Sequence, residues 1–293
     1  MIYLRLLGAQ AAIGAAAIFA RYALLGAGPL AVAALRLAIA VLPLLAVAAI
    51  MHPRLRIGTR RELAFAIAGL LLAAHFATWF ASLLYTSVAI SVLLVTTTPL
   101  WTSLYESLAT RTLPTRARLV AFGFATFGVT LIALQHAAPA PISGHALTGA
   151  LLAIAGAVAL ALYFIIVSAV GSAPKTGSPL PTSAIVARTN AWAAIALLVA
   201  AAVAHQPPPV WVDTRAWGGI LALALVSQLL GHTAMNAALR NFAPSIVALT
   251  TLLEPPIAAA LAALVFGEGL PLQTLAGGFA ILIGVGLVLR RIP

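Results

Sequence analysis

The chain has 293 residues, 63% of them hydrophobic and 7% charged, no cysteine, and a formal net charge of +11 from 16 basic and 5 acidic side chains. A soluble domain is about 45–50% apolar and about 25% charged, so this composition excludes most soluble enzymes, disordered chains and disulfide-built secreted folds. A basic excess of this size would suggest nucleic acid in a soluble protein, but aromatics are only 7% and no base-reading motif is present. The reading is a helical membrane protein with no nucleic-acid partner.

A bilayer-spanning helix needs about 20 mostly apolar residues. Ten stretches qualify, at about 5–26, 30–51, 62–86, 88–110, 116–136, 147–170, 182–204, 216–239, 244–266 and 272–290. Proline and glycine separate them, at Gly28-Pro29, Pro53, Pro114, Pro139, Pro141, Pro179, Pro181, Pro207 to Pro209, and Pro271. The first stretch lacks a small-residue cleavage site in the expected place and is read as a span, not a signal peptide.

With the N-terminus inside, the cytoplasmic segments hold Arg5, Arg54, Arg56, Arg60, Arg61, Arg111, Arg116, Arg118, Lys175, Arg240, Arg290 and Arg291, twelve of the sixteen bases. The other side holds Arg21 and Arg215, with Tyr22, Tyr85, Trp211 and Trp217 as an interfacial aromatic belt. The segments 54–61 and 111–118 are thus expected to be cytoplasmic, and 137–146 and 205–215 external. This bias predicts a multi-pass membrane protein of ten spans with both termini cytoplasmic.

The chain repeats itself. Pro29 stands seven residues before Arg36, and Pro181 seven before Arg188. Pro99 and Pro255 are 156 residues apart, as are Gly128 and Gly284; His75 and His232 are 157 apart. The expected fold is an all-α membrane protein of ten transmembrane helices in two five-helix units, 1–141 and 142–293. Five is odd, so the units insert in opposite orientations, a transporter signature in which the two halves enclose a midplane site.

Polar residues inside spans are costly unless they face the bundle interior. In the third span His75, Thr78, Trp79 and Ser82 share a face at helical spacing. In the eighth, Gln228, His232 and Asn236 form the matching stripe. The fourth carries Thr96 to Thr98, Pro99, Trp101 and Tyr105; the sixth carries Tyr163, whose hydroxyl needs a partner. His75, Trp79, Trp101 and Tyr163 are expected to wall a substrate cavity, with Thr78, Ser82, Tyr105, His232 and Asn236 beside them. The bland alternative is hydrogen bonding that only joins helices. Glu254, the deepest acid, is a candidate proton carrier or else a structural carboxylate. Glu106 and Arg188, at similar depth, are expected to pair as a gate. Arg36 is expected to snorkel or to bind Tyr or Ser hydroxyls.

The segment from Tyr85 to Leu94, running on to Pro99, resembles the first repeat of the EamA family. So does its counterpart from Ala243 to Glu254-Pro255, followed by Gly267-Glu268, Gly277 and Gly284; the Pro29 and Arg36 pair also fits. The resemblance implies a drug/metabolite transporter of ten helices in two inverted halves, its pathway lined mainly by spans 1, 3, 4, 6, 8 and 9. Two departures stand out: Arg111-Thr112 where the second half has Gly267-Glu268, and Ala121 where it has Gly277. The polar and aromatic content of spans 3 and 4 is similar to bacterial amino-acid exporters of the YddG type.

The sequence thus predicts a secondary transporter exporting small metabolites, amino acids with aromatic or large neutral side chains foremost. Drug efflux and a channel are the alternatives. No phosphate-binding loop, metal-ligand cluster or nucleophile elbow is present. No enzyme activity, cofactor, metal or ATPase subunit is therefore expected. The partners are a small-molecule substrate and the lipid bilayer, and the protein is expected to be a monomer.

Overall fold

The structure, a computed structural model, describes residues 2–86, 88–135, 146–171, 180–267 and 271–289. All regular structure among them is helical. Pro139, Pro141, Lys175, Pro179, Glu268, Arg290, Arg291, the external segment 137–146 (but for Ala146) and the boundary between the two expected units lie outside the described residues.

The first half holds α1 (Ile2–Gly14), α2 (Ala16–Ala23), α3 (Pro29–Met51), α4 (Thr59–Tyr85), α5 (Val88–Val95), α6 (Thr98–Thr110) and α7 (Arg116–Gln135). The second holds α8 (Ala146–Gly171), α9 (Thr182–Val203), α10 (Thr214–Ala222), a π-helix (Leu223–His232), α11 (Thr233–Ala238), α12 (Pro244–Thr250), a 3-10 turn (Thr251–Leu253), α13 (Glu254–Phe266) and α14 (Leu272–Leu289).

Helix starts follow local chemistry. Pro29 and Pro244 open α3 and α12, where a missing N–H costs nothing. Asp213 caps α10 by accepting from the Ala216 N–H at 2.9 Å. At the other end, Gly267 closes α13 with φ +67°, and its repeat counterpart Arg111 closes α6 with φ +53°. The halves share this left-handed stop although only one has the glycine that favours it.

Helix occupies every stretch marked as apolar, but not as ten unbroken rods. Among the described residues seven segments are long and apolar enough to cross a bilayer: Leu4–Ala23, Pro29–Met51, Thr59–Tyr85, Leu147–Gly171, Thr182–Val203, Thr214–Ala238 and Pro244–Val265. Leu272–Leu287 is a shorter apolar helix. The expected fourth span is divided at Thr96-Thr97 into α5 and α6, neither of which is long enough alone. The first and ninth expected spans are also interrupted, at Ala15 and at 251–253.

Large apolar side chains cover the outside: Leu42, Ile50, Leu70, Leu134, Leu151, Ile195, Leu264 and Phe279 are all exposed. Water would penalise such a surface and lipid does not. Inside, Leu37, Phe65, Leu72, Phe76, Phe80, Tyr163, Phe164 and Leu197 form the larger core. A smaller one joins Ala121, Ala125 and Val129 of α7 to Ile281 and Val285 of α14.

The α7–α14 pair shows how the halves relate. A Cβ added at Gly128 would run into the carbonyl of Gly277, and one at Gly284 into that of Ala121. Numbers fall on one helix as they rise on the other, so the two run antiparallel. A shift of 156 residues turns each contact into the other, because Ala121 and Gly277 are repeat equivalents, as are Gly128 and Gly284. The other main contacts also cross between halves: α4 with α8, α3 with α9, and α1 and α2 with the π-helix and α10.

Candidate functional site

Three helix breaks and the end of the π-helix converge on one buried cavity. Ile13 and Ala16 flank the break at Ala15; Val95, Thr96 and Thr98 flank that at 96–97; Thr251 and Glu254 flank the 3-10 turn; His232 ends the π-helix; all eight line the cavity. Its remaining wall includes Arg36, His75, Phe76 and Trp79 from the first half and Leu160 and Met235 from the second. The space measures about 30 Å³, room for about one water molecule.

Broken helices leave carbonyls without their usual N–H donors, which is tolerable at membrane depth only where protein encloses them. Threonine hydroxyls add donors around these turns. Thr96, Thr97 and Thr98 donate to Val92, Leu94 and Val95 carbonyls at 2.8, 2.6 and 2.9 Å. At the equivalent break, Thr250 and Thr251 donate to Val247 and Ala248, both at 2.7 Å.

Arg36 does not snorkel. It is wholly buried in α3. Its Nη2 donates to Gln228 Oε1 at 2.7 Å, and its guanidinium carbon lies 4.2 Å from the Phe76 ring centre, in cation–π range. Gln228 Nε2 in turn donates to Asn190 Oδ1 at 2.7 Å, and Asn190 Nδ2 to the Val186 carbonyl at 2.7 Å. Arg36 Nε and Nη1 have no protein partner.

His75 Nδ1 lies 3.0 Å from the Gly156 carbonyl of α8. A carbonyl only accepts, so Nδ1 carries the hydrogen, and in the neutral ring Nε2 is an acceptor. His75 is stacked near Trp79, with centroids 6.2 Å apart. His232 meets Phe76 edge-on at 5.5 Å. Trp79 Nε1 and His232 Nδ1 are buried without partners.

The other expected residues go elsewhere. Thr78 bonds back to the Ala74 carbonyl at 2.8 Å, and Ser82 to the Trp79 carbonyl at 2.6 Å and to Ser91 at 2.5 Å. The Tyr163 hydroxyl finds its partner in Asn236 Oδ1 at 2.8 Å, and Asn236 Nδ2 donates to the His232 carbonyl at 2.7 Å. This pair braces the back of the site without lining it. Trp101 and Tyr105 are 36% and 46% exposed and do not line this cavity. On α6, Thr98 and Thr102 are buried and the aromatic stripe is exposed.

The Glu106–Arg188 pair does not form. Glu106 accepts from the Ser245 N–H at 2.9 Å and its hydroxyl at 2.6 Å, and pairs with Arg118 at 3.3 Å. It thus caps α12, where a carboxylate is favoured by the helix dipole. Arg188 pairs instead with Glu62 at 2.6 Å, and Trp192 Nε1 donates to the same carboxylate at 3.0 Å. Similar depth does not choose partners; lateral position does. The residues overlooked in the sequence include Phe76 and Asn190. Asn190 carried a signal, being one more polar residue within an apolar span; Phe76 carried none beyond its place next to His75.

A family model described as the EamA-like transporter family matches residues 1–134 and 147–290. The chain belongs to that family. The two matched segments are the two halves whose helices interlock above. This EamA-like chain also resembles a solved structure described only as "Crystal structure of protein", with a TM-score of 0.80 and 16% identity over 98% of this chain and 96% of that one. At that identity the likeness concerns the fold. No curated protein matches the chain significantly.

Proposed function

We propose that this EamA-like membrane protein is a secondary transporter that exports small metabolites, foremost amino acids with aromatic or large neutral side chains. In this reading it crosses the bacterial cytoplasmic membrane ten times, as two inverted units with both termini inside, and acts as a monomer. The observation that carries the reading is the buried polar cavity walled by both family-matched halves, where the broken helices meet. Broken helices around a midplane site between repeats are the architecture of alternating access. The cavity is smaller than any amino acid, so a cycle requires the halves to part around it. The contacts of Glu106 with Ser245 and of Glu62 with Arg188 each join one half to the other and would open on one side during that cycle. Trp79 and Phe76 offer apolar and ring contact to a side chain, and His75 Nε2 an acceptor to an amine. The amino-acid cargo follows the YddG-type likeness of spans 3 and 4.

The test is uptake of labelled amino acids into proteoliposomes carrying the purified protein, with and without a pH gradient. Saturable uptake of phenylalanine or methionine is expected. Its stimulation by a pH gradient, lost in Glu254→Gln, would assign Glu254 to proton coupling. Uptake indistinguishable from empty liposomes for every amino acid would exclude the cargo.

A further inference from the structure

We propose that Arg36 and Glu254 are opposite charge anchors in this cavity, Arg36 for a carboxylate and Glu254 for an ammonium group, so that the site selects zwitterions over anions and cations. The proposal rests on the transport reading above and deepens it.

The first observation is what Arg36 lacks. A guanidinium carries five N–H donors, and a buried charge with unmet donors is expensive. Gln228 and Phe76 hold the group in place but leave Nε and Nη1 without acceptors. Trp79 Nε1, a donor only, and His232 Nδ1 are buried and unpartnered around the same space. The free N–H groups of Arg36 and Trp79 are complementary to an acceptor-rich anionic group, and His232 Nδ1 adds a donor in the tautomer that carries its hydrogen there.

The second observation fixes the charge of the rest of the ligand. Among the described residues, Glu254 is the one acid lining the cavity. The ion pairs among the described residues are Arg118–Glu106 and Arg188–Glu62; Arg36 and Glu254 line the same cavity and attract each other through space without closing to an ion pair. A monoanion on Arg36 would leave Glu254 unanswered, and a dianion would add repulsion. A cation on Glu254 would leave Arg36 unanswered. A zwitterion meets both charges and brings no net charge into the membrane.

The experiment uses the full-length protein in proteoliposomes and competition against labelled phenylalanine. The competitors are unlabelled phenylalanine, phenethylamine, which lacks the carboxylate, and 3-phenylpropionate, which lacks the ammonium. Both singly charged compounds are expected to compete at least tenfold more weakly than phenylalanine. In Arg36→Gln the gap between phenylalanine and phenethylamine should collapse to within about threefold; in Glu254→Gln the gap to 3-phenylpropionate should collapse instead. Equal competition by either singly charged compound in the wild type overturns the proposal whether or not the variants fold. So does a variant that weakens all three compounds alike. If labelled phenylalanine and every other amino acid fail to enter, the amino-acid reading falls and the anchors with it; if they enter and the gaps are absent, only the anchors fall.

Discussion

Arg36 and Arg188 stand at equivalent places in the two halves, each seven residues after the proline that opens its helix, yet their surroundings are opposite. Arg188 is 40% exposed in its side chain and salt-bridged to Glu62. Arg36 is fully buried and bonded to an uncharged amide, with no carboxylate at ion-pair distance among the described residues. The repeat explains the divergence. The position equivalent to Glu62 in the second half is Gly219, so no acid meets Arg36 there. The position equivalent to Gln228 in the first half is Leu71, so Arg188 has no interior amide to hold it. A duplicated scaffold fixes where the arginines sit; the neighbours that differ place one in a half-exposed ion pair and leave the other, as proposed, to bind the ligand.

The sharpest way to break this contrast is to remove each arginine. Arg36→Ala is expected to reduce amino-acid uptake by at least about tenfold to a hundredfold, the range for a lost charged hydrogen-bond partner, with protein in the membrane confirmed by immunoblot. Arg188→Ala removes a half-exposed ion pair, worth about 0–1 kcal/mol, and is expected to leave uptake within about fivefold. Equal losses in both would mean that both arginines serve structure alone.

His75→Ala probes the same cavity from α4. Uptake of alanine, methionine and phenylalanine should fall together, by about tenfold, the scale of one hydrogen bond. Selective loss for phenylalanine alone would instead make His75 a side-chain contact. Smaller still is Trp101→Ala on the outward face of α6. Uptake is expected to stay within about twofold, as for surface substitutions; a loss matching that of His75→Ala would put the aromatic stripe back in the pathway.

The fourth test concerns stability. Arg111 holds a left-handed backbone that its counterpart fills with glycine. Arg111→Gly should therefore raise stability by about 0.5–1 kcal/mol, visible as a higher thermal midpoint in detergent. An unchanged or lower midpoint would show that the arginine side chain compensates for the strain.

Much of this was legible in the sequence because apolar length and a repeat offset are one-dimensional signals. The helical stretches, the repeat equivalence of Gly128 and Gly284, and the interior placing of His75, Trp79, His232 and Glu254 all follow from such signals. Three things were not. The π-helix of 223–232 escapes a reading that assumes 3.6 residues per turn. The direction of Trp101 and Tyr105 depends on rotation across the break at 96–97, which an unbroken helix would not undergo. The partners of Glu106 and Arg188 depend on which helices lie side by side, and depth does not encode that.

If the cavity between the halves is the transport site, as proposed, bound substrate must shield its wall. Because the chain has no cysteine, a single one is a clean reporter. Thr96→Cys places it on the cavity wall, and Tyr105→Cys on the outward face of α6. Alkylation by a small thiol reagent should be slowed by saturating phenylalanine at position 96 and not at position 105. Protection at 105 with none at 96 would contradict the account and move the site out of the cavity.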